Sequence, residues 1–127
     1  MENRESSKRP HERLDAWRDS MDLVEAVYTL TASLPQSERF GLTAQIRRSA
    51  VSIPSNIAEG AARRSTPDYL RFLSIARGSL AELDTQMKIA ERVGYLDSSR
   101  SLEERIDMVF AKLTALMNAL SRREPQP

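Results

Sequence analysis

The sequence predicts an all-α chain, a single antiparallel four-helix bundle whose second helix is kinked by a proline. Three observations carry that expectation. Apolar residues recur at four-three spacing in four separate stretches. Short polar connections containing proline or glycine divide those stretches. No alternating strand pattern occurs anywhere in the 127 residues, a length that suits one domain with a real core. Four amphipathic helices joined by short turns have one economical arrangement, the antiparallel bundle.

Residues 1–13 lack periodicity and are rich in Ser, Lys, Arg, Pro and Glu, so they read as a disordered leader. The bundle is expected over residues 14–123, with 124–127 as a frayed tail. In the first helix, Leu14, Trp17, Met21, Val24 and Tyr28 form the stripe, and Leu23, Val27, Leu30 and Leu34 widen it. Pro35 ends it by pushing the preceding residue out of helical geometry. In the connection that follows, Phe40 is expected to plug the end of the core.

The second helix should run from near Leu42 to around Arg64, and its middle is the oddest stretch of the chain. Residues 45–60, QIRRSAVSIPSNIAEG, carry Ile46, Ala50, Ile53 and Ile57 on one face. Arg48, Ser52, Ser55 and Glu59 lie on another. A helix with one greasy and one small polar stripe can touch two different neighbours. Pro54 cannot donate to the carbonyl of Ala50, and an interior proline costs about 3 kcal/mol. Ser52 and Ser55 are placed to satisfy the freed carbonyl groups, and packing on both sides must offset the rest. The alternative is two shorter helices meeting at residues 52–54.

The third helix has the clearest start signal, with Thr66 at the N-cap, Pro67 at the first helical position and Asp68 complementing the dipole. Tyr69, Leu73, Ala76, Leu80, Leu83, Met87 and Ala90 follow at strict spacing, and Gly94 fits a left-handed C-terminal cap. Gly78 and Ser79 remove bulk and permit another helix to approach. The fourth helix carries Leu102, Ile106, Val109, Leu113, Leu116 and Leu120.

Composition excludes several functions. There is no cysteine and a single histidine, His11, in the polar leader. Disulfides, thiolate metal sites, cysteine nucleophiles and Glu-x-x-His di-metal bundles are therefore excluded. The four glycines are scattered, so no loop cradles a phosphate. The serines have no base among their neighbours. No enzyme, metal or cofactor is expected. No apolar run approaches a membrane span and no signal-peptide core is present, so the expected location is the cytoplasm.

Arginine is what remains. The formal net charge is only +1, against a general nucleic-acid coat, but it is unevenly placed. Residues 14–34 hold one arginine against Asp15, Asp19, Asp22 and Glu25, whereas residues 35–64 hold five arginines against Glu38 and Glu59. Arg47, Arg48, Arg63, Arg64 and Arg71 are the candidate nucleic-acid contacts, because guanidinium forks match phosphate oxygens. The competing reading is structural: Glu59–Arg63 is an i,i+4 pair, and Arg47 or Arg48 can pair with acids of the first helix. Trp17, Tyr28, Phe72 and Phe110 fall on or beside apolar stripes and are expected in the core, which favours backbone contact over base stacking.

The runs LTAQIRRSAVSIPSNIAEGAAR and YLRFLSIARGSLAELDTQMKIAERVGYL resemble the four-helix-bundle family encoded in intervening sequences of bacterial 23S rRNA genes, a broad group that includes the accessory proteins of diversity-generating retroelements. That resemblance implies an up-down bundle assembled as a ring-like homopentamer, with nucleic acid, RNA or DNA, on basic surfaces. It also implies a second possibility, a protein–protein adaptor for a reverse transcriptase. The signature residues it carries over are Gln45, Arg47, Arg48, Ser49, Ser52, Asn56, Glu59, Gly60, Arg77, Gly78, Ser79 and Glu82. Of the small and polar positions, Ser52, Ser55, Asn56, Glu59, Gly60, Gly78, Ser79 and Glu82 are expected to serve helix or subunit packing.

Overall fold

A computed structural model of the chain describes residues 9–123. Four helices account for most of it: α1, Asp15–Thr31; α2, Leu42–Ala61; α3, Thr66–Arg92; and α4, Arg100–Arg123. Single 3-10 turns occupy Pro10–Arg13 and Gln36–Glu38. Among the described residues there is no strand. Helix α1 packs on α2 and α4, and α3 packs on α2 and α4, while the diagonal pairs do not meet. This is the up-down antiparallel bundle, and α2–α3 is its most extensive interface. The 3-10 turn at Pro10–Arg13 rests on α1 and α2, so the end of the expected leader is ordered. Residues 1–8 of that leader and the tail at 124–127 lie outside the described residues.

The periodic residues of α2, α3 and α4 do what their spacing requires. Ile46, Ala50, Ile53, Ile57, Leu73, Ala76, Leu80, Leu83, Ala90, Val109 and Leu113 are fully buried in one core. Helix α2 runs unbroken through Pro54, which is itself buried, so the two-helix alternative does not hold. The helix stops at Ala61, three residues short of Arg64. Ser55 donates to the carbonyl of Val51 at 2.8 Å, and Ser52 turns sideways to Ser79. Neither serves the carbonyl of Ala50.

Helix α1 departs most from its sequence pattern. Its buried line is Ala16, Ser20, Leu23, Val27 and Thr31, one step round from the more apolar Trp17–Met21–Val24–Tyr28 line. Two hydroxyls can sit in that core line because each donates to its own helix. Ser20 bonds Trp17 O at 2.8 Å and Thr31 bonds Val27 O at 2.7 Å. The apolar line is displaced outward: Trp17 and Val24 are half-buried, and Met21 and Tyr28 remain 41% and 42% exposed. Tyr28 is therefore not core, whereas Phe72 is buried and Trp17 and Phe110 pack half-buried against the core.

Three further expectations are corrected. Phe40 is 87% exposed and plugs nothing; its ring lies under the guanidinium of Arg39 at 5.0 Å. The N-cap of α3 is Ser65 rather than Thr66, its hydroxyl accepting from Asp68 N at 3.3 Å. A methyl at Gly78 would meet no atom within 4 Å, so this glycine admits no helix of its own chain. The close approach is at Gly60, where a Cβ would lie 2.9 Å from Phe72 Cβ and 3.1 Å from the Tyr69 ring. Gly94, at φ +86°, ends the α3 region in the left-handed conformation as expected.

Candidate functional site

The five candidate arginines do not form one patch. Arg47 faces α1: Nε donates to Thr31 Oγ1 at 3.0 Å, a terminal nitrogen donates to Tyr28 O at 3.3 Å, and the guanidinium lies over the Tyr28 ring at 4.5 Å. Its partners are thus a hydroxyl, a carbonyl and a ring, not the acids of α1. One bond caps a carbonyl near the end of α1, the other holds a hydroxyl, and together they commit Arg47 to the fold.

Arg63 and Arg71 are brought together at the α2–α3 turn. The guanidinium groups of Arg63 and Arg71 lie 4.5 and 4.7 Å from the Phe72 ring centre. Phe72 is held in place because it packs against Gly60, which leaves no room for a methyl between α2 and α3. Stacking occupies the flat face of a guanidinium and leaves its N–H edge for other acceptors. Arg64, next to Arg63 in the chain, is exposed. Glu59 and Arg63 form no ion pair among the described residues, the ring having taken Arg63 instead. Arg71 approaches Asp68 at 3.8 Å with both side chains more than half exposed, a contact of little energetic weight.

Arg48 lies on the other side of α2, in a polar groove of about 390 Å³ along the α2–α3 seam. Gln45, Arg48, Ser49 and Ser52 line one wall, and Ser79, Glu82 and Gln86 the other. Six of these seven are positions the resemblance singled out, so the fold gathers them at one place. The floor is a polar clasp between the helices: Ser52 and Ser79 hydroxyls are 2.8 Å apart, and Asn56 Nδ2 donates to Ser52 O at 2.8 Å and Ser52 Oγ at 2.9 Å. Above it the groups are unpaired. Arg48 and Glu82 enter no ion pair among the described residues, and Gln86 Oε1 is buried without a hydrogen-bond partner. Ser55 and Glu59 point away, exposed. Gln86 was not foreseen, although its place one turn after Glu82 puts it on the same face.

A second groove, of about 350 Å³, is almost wholly apolar. It lies between α1 and α2, lined by Trp17, Met21, Val24, Val51, Pro54, Ser55 and Ala58. Among the described residues no cluster of His, Asp or Glu is arranged to hold a metal ion. None of the helices is long and apolar enough to cross a membrane.

Comparison with known proteins fits this architecture. A crystal structure of a protein of unknown function from the S23 ribosomal protein family of Bacteroides thetaiotaomicron superposes with a TM-score of 0.71. It is 21% identical, and the match covers 81% of this chain and 95% of that one. No curated protein matches the sequence. Residues 12–115 match the 23S rRNA-intervening sequence protein family, a range that covers α1, α2 and α3 and reaches into α4. The chain belongs to the family of 23S rRNA-intervening sequence proteins.

Proposed function

We propose that this chain is a non-enzymatic, cytoplasmic subunit of a homo-oligomeric ring, five copies in the ring, that meets RNA or another nucleic acid through the arginines of its α2–α3 turn. The observation that carries the nucleic-acid reading is the pair Arg63 and Arg71 stacked on the buried Phe72, with the exposed Arg64 next to Arg63 in the chain. Guanidinium groups held by stacking lose less side-chain freedom when they bind, so their N–H edges are prepared for phosphate oxygens. Arg47 is left out of this set because α1 already occupies it.

Assembly is supported by the displaced apolar line of α1. Met21, Val51 and the groove between them leave apolar surface exposed on one side of the bundle, while Ile75 and Ile89 leave it exposed on α3. Two different patches on one chain suit head-to-tail contacts, which close into a ring when the rotation permits. Repetition then multiplies weak phosphate contacts.

The test is fluorescence anisotropy with labelled single-stranded and duplex RNA at low salt. Wild type should bind, and the Arg63→Gln/Arg64→Gln/Arg71→Gln variant should lose most of the affinity. Equal binding by the two proteins, or none by wild type, overturns the reading. A stoichiometric protein captured insensitively to nuclease would instead support the adaptor role for a larger enzyme such as a reverse transcriptase.

A further inference from the structure

The polar groove between α2 and α3 holds a donor, Arg48, and a buried acceptor, Gln86 Oε1, neither with a partner among the described residues. It also lies within an apolar frame. Ile75, Glu82 and Ile89 are spaced by sevens and so share one stripe of α3, and the two isoleucines are 43% and 45% exposed. The exposed isoleucines flanking the groove favour an apolar-edged helix over a small polar ligand.

The outer stripe of α1 has the complementary chemistry. Met21, Glu25 and Tyr28 lie on it, all exposed. Neither the Glu25 carboxylate nor the Tyr28 hydroxyl has a partner among the described residues. Glu25 and Tyr28 are i,i+3 neighbours, roughly 5–6 Å apart at Cβ. They therefore offer one acceptor and one donor side by side, with Met21 one turn away. The signs agree: Asp19, Asp22 and Glu25 lie on α1, and Arg48, on α2, enters no ion pair among the described residues.

We infer that the α2–α3 groove is completed by α1 of a neighbouring copy, with the neighbour's Glu25 on Arg48, its Tyr28 hydroxyl on Gln86 Oε1, and its Met21 against the isoleucine frame. This rests on the assembly reading above and assigns its interface. Because the two faces lie on different sides of the bundle, each chain gives α1 to one neighbour and receives α1 from the other.

The experiment is light scattering across a concentration series for wild type, Arg48→Glu, Glu25→Arg, the double swap and Tyr28→Phe. Circular dichroism verifies that each variant keeps its helices. Each single charge reversal should weaken assembly by roughly tenfold or more in dissociation constant. The double swap should restore it, and Tyr28→Phe should weaken it by roughly threefold. Single variants that assemble like wild type, or a double swap no better than either single, overturn the interface while the assembly reading stands. A wild-type particle that stays at 14.4 kDa at every concentration overturns both.

Discussion

The Tyr95 hydroxyl donates to Glu38 Oε2 at 3.0 Å, while Glu38 Oε1 accepts from the backbone N–H of Leu42, also at 3.0 Å. One carboxylate thus caps the start of α2 and ties it to the loop that follows α3. The bond joins residues 57 positions apart, at the end of the bundle where α1 gives way to α2.

That bond gives a pH signature. Hydrogen bonding to Glu38, then repulsion from its charge, raises the Tyr95 pKa above 10.0. The folded-state value exceeds the unfolded one, so the contribution is whole below pH 10 and is lost as pH rises through the raised value. Denaturant unfolding followed from neutral to strongly alkaline pH should show this loss. Tyr95→Phe should be less stable at neutral pH and lack that component of the alkaline fall. Glu38→Ala removes the cap as well and should cost about 1 kcal/mol.

Two glycines in α2 and α3 should respond in opposite directions. At Gly60 an added methyl meets Phe72 Cβ at 2.9 Å and the Tyr69 carbonyl at 3.2 Å. Gly60→Ala should therefore destabilise by roughly 1–3 kcal/mol in denaturant unfolding. At Gly78 nothing lies within 4 Å, and Gly78→Ala should stabilise the chain by roughly 0.5–1 kcal/mol through helix propensity alone.

The contrast shows where sequence reading works and where it stops. Periodicity alone located four helices and nearly all of the core in α2, α3 and α4, since a buried stripe must recur at helical spacing. In α1 two candidate stripes lay side by side, and the more apolar one faced outward. Hydropathy could not reveal that Ser20 and Thr31 would satisfy their hydroxyls on their own helix and so tolerate burial. Phe40 misled for the same reason, an apolar type being no statement of which side it faces. The arginines were legible as a set, but their partners were not. Arg47 meets Tyr28 and Thr31 across 19 and 16 positions, and Arg63 meets a ring rather than the nearer Glu59.

Those partners separate the arginines experimentally. Arg47→Ala should cost roughly 1–3 kcal/mol, because it strips a stacked ring and two hydrogen bonds that tie α2 to α1. Nucleic-acid affinity per folded molecule should not change. Arg64→Ala should do the reverse, leaving the thermal midpoint near wild type and lowering RNA binding. Thermal melts and anisotropy on the same samples check both.

The apolar groove should report assembly rather than folding. Val51 stands 42% exposed in its wall, so Val51→Glu should keep the helical content and stability of the isolated chain. Its light-scattering mass should nevertheless fall toward 14.4 kDa, since a charge buried at a subunit contact costs several kcal/mol without a partner. An unchanged mass would remove this groove from the interface.

The most direct test of a ring that grips nucleic acid by repeated arginine turns is the salt dependence of duplex binding. Three phosphate contacts from one chain give a slope of log K against log salt of about −2.7. The account predicts a slope clearly steeper than that for wild type, because several copies contribute at once. A slope near zero, or no binding at low salt, would contradict it.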